Sequence, residues 1–307
     1  MVSPETIMRT LALLSLFAAP VWAVTDDPWT TKPQKLSERM ATTTRPAIPV
    51  TIPPKHDNPW DPKPSTVREM AADRPDQTGT PFTVPKGFFH FESGIVDHER
   101  RLDTDNKLES FTWGEINAKY GLTDKLDLQV IWQPMTEVRY RGDENDPGFY
   151  QSGVNDLLVR MKYNLMGNDS GDFALAMLPY VKVPTAKHGI GNDMWEGGLV
   201  FVSEADIGGG FTLGNSLGGH ISADSDDTLY FRPAISAVLG REITEKLGFF
   251  VEIYSSWHMD EERYWQTSLD FGLDYDLTEH MILDAGVLWF FRGEETLNPF
   301  AGISWRF

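Results

Sequence analysis

Cysteine is absent from the 307 residues, which excludes a disulfide framework and a thiolate metal site. Positive charge is scarce: 27 Lys and Arg stand against 45 Asp and Glu, a formal net charge of −18. Such a field repels polyanions, so nucleic acid is not expected as a partner. Long hydrophobic runs are missing as well. After Ala23 no continuous apolar stretch reaches the ~20 residues that a membrane-spanning helix needs, which leaves a soluble chain or one embedded as strands. The seven histidines, His56, His90, His98, His188, His220, His258 and His280, form no His-x-x-x-His pair, so neither a metal centre nor any other cofactor is expected.

What is present begins with targeting. Met8-Arg9-Thr10 precedes an apolar run from Leu11 to Ala19, and Val21-Trp22-Ala23 places short side chains where a signal peptidase reads. Residues 1–23 are therefore expected to be a secretory signal peptide. Between Pro28 and Pro85 lie 12 of the 20 prolines, interleaved with Thr, Lys and Asp. Proline removes backbone donors, and such a composition buries little apolar surface. Residues 24–86 read as a disordered, proline-rich extension in the periplasm, available for contact there.

From Gly87 to Phe307 apolar and polar residues alternate in segments of about ten, the period of strands. In Leu126-Asp127-Leu128-Gln129-Val130-Ile131-Trp132-Gln133, Leu126, Leu128, Val130 and Trp132 share one face and Asp127, Gln129 and Gln133 the other. Counting on places twelve strands near 87–97, 109–121, 126–138, 154–165, 172–183, 194–203, 209–221, 228–240, 246–258, 264–276, 279–291 and 296–307. Brief turns such as 121–125 alternate with longer polar connections such as 141–153 and 184–193. The last strand carries Ile303, Trp305 and Phe307 on one face. An even count, turns of alternating length and a terminal aromatic strand predict an all-β fold, a transmembrane antiparallel up-and-down β-barrel over residues 87–307 in the outer membrane of a Gram-negative cell. Its expected partners are outer-membrane lipids and the barrel-insertion machinery.

A strand in lipid satisfies its backbone through its neighbours, and its charges must face the lumen, since each would cost ~2–4 kcal/mol against mid-bilayer lipid. Parity sends inward Glu92, Glu115, Lys119, Asp127, Asp156, Arg160, Lys162, Lys182, Glu196, Arg232, Glu252, Asp270, Asp274, Asp284 and Arg306, with Phe88, Trp113, Tyr180, Phe250 and Tyr254 as aromatics of the same face. Arg160, Lys162 and Lys182 form an expected basic wall, and Glu252, Asp270 and Asp284 an acidic one. These side chains either prop the lumen or line a path for a solute; the residues alone leave both readings open.

The stretch from Ala72-Asp73-Arg74-Pro75-Asp76-Gln77-Thr78-Gly79 through Phe88-Phe89-His90-Phe91-Glu92-Ser93-Gly94 resembles the opening motif of an outer-membrane transporter family associated with the MetA-pathway of phenol degradation. Tyr120-Gly121-Leu122-Thr123-Asp124-Lys125-Leu126-Asp127-Leu128, Gly153-Val154-Asn155-Asp156-Leu157 and Leu178-Pro179-Tyr180-Val181-Lys182-Val183-Pro184-Thr185 follow in the same order, so the resemblance spans about residues 72–307. It implies a porin-like channel for passive uptake of small, aromatic or hydrophobic molecules, with no catalytic residues. Two alternatives stand beside it. One is a structural or interaction protein of the outer membrane. The other is an outer-membrane hydrolase, suggested by Asn215, Ser216 and His220, although Ser216 and His220 fall on the inward parity.

Overall fold

Alternation of apolar and polar side chains becomes β-structure along the whole C-terminal portion. The computed structural model describes residues 68–101, 107–141, 148–169, 171–187, 190–224, 226–261, 263–293 and 295–307; the expected signal peptide and residues 24–67 of the expected extension lie outside them. The strands are β1 (Phe89–Arg101), β2 (Lys107–Thr123), β3 (Leu126–Trp132), β4 (Met135–Arg141), β5 (Phe149–Gly153), β6 (Leu157–Met166), β7 (Phe173–Val183), β8 (Glu196–Gly208), β9 (Phe211–Ala223), β10 (Leu229–Glu242), β11 (Leu247–His258), β12 (Tyr264–Thr278), β13 (Met281–Arg292) and β14 (Thr296–Arg306).

These fourteen segments make twelve staves. β3 and β4 both pair with β2 in one register, Ile116 opposite Trp132 and Trp113 opposite Met135, and β6 and β5 continue that arrangement on their far side. The interruption falls at Gln133-Pro134, where proline has no N–H to give the ladder. All pairings are antiparallel, and β1 joins both β14 and β2, so the sheet closes on itself. Closure removes the unpaired edges that lipid would not tolerate.

The core is polar and the exterior apolar, the reverse of a water-soluble domain. Lys119, Asp127, Gln129, Lys162, Glu252, Ser268 and Asp270 are all at most 2% exposed. The opposite parity carries exposed Leu199, Phe201, Leu217, Ile235, Phe271 and Leu273 around the wall. At one end, termed the turn end, short connections at 124–125, 209–210 and 279–280 join the strands, and both the start of β1 and the finish of β14 lie there, as twelve staves require.

Two expectations need correction. Residues 68–86 are not part of a free extension; they enter the barrel and bond to its inner wall, so the boundary expected after residue 86 misplaces them. Trp113 does not line the lumen. Gly114 has φ +64° and β1 slips register between Gly94 and Val96, at the same height. A positive φ is what glycine permits and other residues resist, and here it reverses which side of β2 faces in. Below it Glu115, Asn117 and Lys119 point inward; above it Thr112 turns in toward buried Thr136, while Trp113 lies 42% exposed on the outer face with exposed Met135 and half-buried Phe111 as neighbours.

Candidate functional site

Residues 68–86 form a closed loop whose shape is set largely by its own side chains. The Arg68 guanidinium donates to the Thr83 carbonyl at 3.2 Å and ties the two ends together. Within the loop the Asp73 carboxylate accepts from the Thr80 amide at 3.2 Å, and that of Asp76 accepts from the Gly79 amide at 2.7 Å. The Asp76 bond mimics a backbone turn, the Asp73 bond closes a wider bend, and Pro75, Pro81 and Pro85 stiffen the path around them. The result is a compact inner loop that enters at the turn end and rises into the lumen.

One flank of the loop meets cations. The Asp73 carboxylate takes Lys119 at 2.7 Å, Arg160 at 2.8 Å and Lys162, while the Asp73 amide donates to Glu92 at 2.7 Å. Lys119 also bonds Glu92. Burial alone would raise the Asp73 carboxyl, but these three cations hold it well below the usual carboxylate range. Lower down, the Val84 amide donates to Asp127 at 2.9 Å, and Arg306 donates to the Arg68 carbonyl at 2.8 Å.

The other flank meets acids, chiefly through neutral donors. Arg74 reaches Asp284 at 3.0 Å. The Gln77 amide donates to Glu252 at 2.8 Å and its side chain to Asp270 at 2.7 Å, while the Thr78 hydroxyl bonds Glu252 and Ser236. Asp76 sits beside them, its carboxyl pushed up to about 7 by burial together with the nearby charges of Asp73 and Glu204. The expected basic and acidic walls thus do not face each other across empty space; the loop places an acid against one and donors against the other.

Above the loop the lumen opens into a cavity of about 340 Å³. Its floor is Asp73, Arg74 and residues 76–79, and its lining includes Glu115, Arg160, Tyr180, His220 and Tyr254 together with an apolar side made of Leu158, Leu178, Val200, Val202 and Ala234. Leu178 and Val202, with Ala176, are buried on strands whose inner face the loop does not hydrogen-bond. The Tyr180 hydroxyl bonds His220 Nδ1 at 2.6 Å. Glu115 accepts from Gln133 at 2.6 Å. At the far rim Lys182 lies 3.2 Å from both Asp156 and Glu196, and Asp156 accepts from the Thr185 and Ala186 amides at 2.9 Å, pinning the connection after β7.

The sequence-derived residues therefore fall into three groups. Glu92, Asp127, Arg160, Lys162, Glu252, Asp270, Asp284 and Arg306 engage the inner loop; Glu115, Tyr180 and Tyr254 line the cavity; Asp156 and Lys182 brace the rim, with Arg232 between rim and cavity. Phe250 is buried inward with Val238 and Phe300, and Phe88 is half-buried ahead of β1. Asp73, Arg74, Gln77 and Thr78 were missed as site residues. A signal for them existed, because the resembled motif opens at Ala72, well before the first expected strand. Ser216 bonds Ser236 at 2.6 Å and His220 bonds Tyr180, so Ser216 and His220 are each committed to another partner. Among the described residues no group of three or more His, Asp or Glu is placed to hold a metal ion.

Residues 72–307 match the family described as "Putative MetA-pathway of phenol degradation". No curated protein matches the chain. Among solved structures, a COG4313 outer membrane channel from Pseudomonas putida F1 is similar at 15% identity and TM-score 0.63, over 76% of this chain and 100% of that one. The NanC porin aligns at 11% identity and TM-score 0.47 over 70% and 98% of the two chains. The CymD monoaromatic hydrocarbon channel aligns at 11% identity and TM-score 0.43 over 73% and 88%.

Proposed function

The chain belongs to the MetA-pathway of phenol degradation family, and from that premise we propose that it is an outer-membrane channel for passive entry of small molecules with an aromatic or apolar portion, and not an enzyme. The observation that carries this reading is the cavity above the inner loop. Its volume suits a small solute, one side is apolar, and tyrosine and histidine groups stand on another. The similar solved barrel from Pseudomonas putida F1 is described as an outer membrane channel. Under this reading the turn end faces the periplasm, the exposed apolar wall faces outer-membrane lipid, and the inner loop is the element that leaves its seat for solute to pass. The lumen charges that hold the loop then act as its latch, while Glu115, Tyr180 and Tyr254 meet solute. Residues 24–67 would lie in the periplasm, where they are free to meet a partner. The reading has a direct test in planar-bilayer conductance of the refolded full chain, run beside benzyl alcohol flux into proteoliposomes. Discrete conductance with flux above that of empty liposomes is expected; a silent barrel with no flux would overturn it and favour a structural role.

A further inference from the structure

We infer that the outer half of the lumen holds a binding site for the carboxylate of a small aromatic acid, centred on Arg232. The inference rests on the channel reading and names the solute class that the cavity takes.

Arg232 lies on the inward face of β10, two residues above the cavity-lining Ala234. Among the described residues it has a single polar partner, the Ser222 hydroxyl, at a long 3.4 Å. The other lumen arginines are committed: Arg74 to Asp284, Arg160 to Asp73 and Gln129, and Arg306 to the Arg68 carbonyl. A guanidinium presents five donors in a planar fork that matches a carboxylate, so most of the binding capacity of Arg232 is unspent. Of the nearby acids, Glu196 on β8 is occupied by Lys182 at 3.2 Å, Asn192 at 2.6 Å and the Ala223 amide at 3.0 Å, and Asp260 accepts from the Arg263 amide at 3.0 Å. Asp224 accepts from the Asp226 and Thr228 amides of its own turn.

The surroundings favour a ring attached to that carboxylate. Tyr180, Gly198, His220 and Arg232 stand in one row across β7 to β10. A Cβ at Gly198 would lie 2.8 Å from the Tyr180 ring, so glycine there is what lets the ring lean over β8 to reach His220. On the other side Tyr230 bonds His258 at 3.1 Å, and His258 stacks on Tyr264 with centroids 4.4 Å apart. Two tyrosine–histidine pairs thus flank the Arg232 guanidinium, and the apolar side formed by Leu178, Val200 and Val202 lies just below. A single-ring arene carboxylate seats its ring against that side and its charge on Arg232; a neutral arene gains only the first contact.

Calorimetric titration of the detergent-folded full chain with benzoate and with its neutral relative benzyl alcohol tests this. Benzoate is expected to bind at least tenfold more tightly than benzyl alcohol. Arg232→Gln should remove that preference while leaving benzyl alcohol unchanged, Arg232→Lys should restore part of it, and Tyr180→Phe should weaken benzoate two- to fivefold. Equal binding of the two probes by the unaltered chain, or an unchanged benzoate affinity in Arg232→Gln, overturns the site. Conductance without arene separates the two readings: a conducting barrel indifferent to benzoate sinks this site alone, and a silent barrel that binds benzoate through Arg232 sinks the channel alone.

Discussion

In the turn-end half of the lumen most charged side chains of the wall find partners on the inner loop, whereas in the opposite, upper half Arg232 is left with aromatic neighbours and one long contact. Both halves are built from the same strands, so the difference comes from the loop, which brings an acid to the cations and donors to the acids of the lower half and stops short of the upper. A buried charge without a partner is costly, and one exposed to lumen water is not. The lower half is therefore a locked joint, and the upper half keeps one cation, Arg232, available to something that arrives from outside.

The largest effect that separates the halves is expected from Asp73→Ala. It leaves Lys119, Lys162 and Arg160 facing one another around the lost carboxylate, and losing one partner of a buried charge group costs about 3–5 kcal/mol. Single-channel records should show larger and longer openings, and limited proteolysis should cut within residues 68–86; an unchanged record would mean that the loop is not held from this flank. Next comes Arg74→Gln, which removes a charge-assisted bond to Asp284 worth about 1.5–3 kcal/mol, with openings intermediate between those of Asp73→Ala and the unaltered chain.

Acidity should act more gently, through the loop's own Asp76. Its carboxyl is raised to about 7 in the seated loop, against about 4 when free, so its protonated form favours seating. That contribution is fully present below pH ~4 and is lost as pH rises through neutrality. Conductance at pH 8.5 should exceed that at pH 5.5 in the unaltered chain, and Asp76→Asn should shrink the difference. The smallest effect is expected in the upper half. Tyr180→Phe breaks a single neutral hydrogen bond beside the cavity, worth about 1 kcal/mol, and loop seating followed by proteolysis should not change; a loosened loop would show that the halves are coupled.

Much of the wall was legible from period two alone. Leu126 to Trp132 reads as a strand because each side chain's environment is set by its own stave and its two neighbours. The facing of Trp113 was not legible, since parity assumes an unbroken pleat and the reversal at Gly114 depends on a φ that the residue type permits without requiring. The inner loop was least legible. Its prolines and lack of periodicity are those of a free extension, and its order comes from partners far along the chain, Arg74 with Asp284 and Arg306 with Arg68. One clue was physical: a narrow lumen that receives a dozen or more charges needs counter-groups, and the wall alone does not supply them in matched positions.

The hydrogen bonds from residues 68–84 reach β1, β2, β3, β6, β10, β11, β12, β13 and β14. Nine strands thus meet a single short hub as spokes do. A slip of any of them by one residue would turn its polar partner away from the hub and toward lipid. The loop is in that sense a gauge of register, fitting fully only a wall assembled with every strand at its proper height.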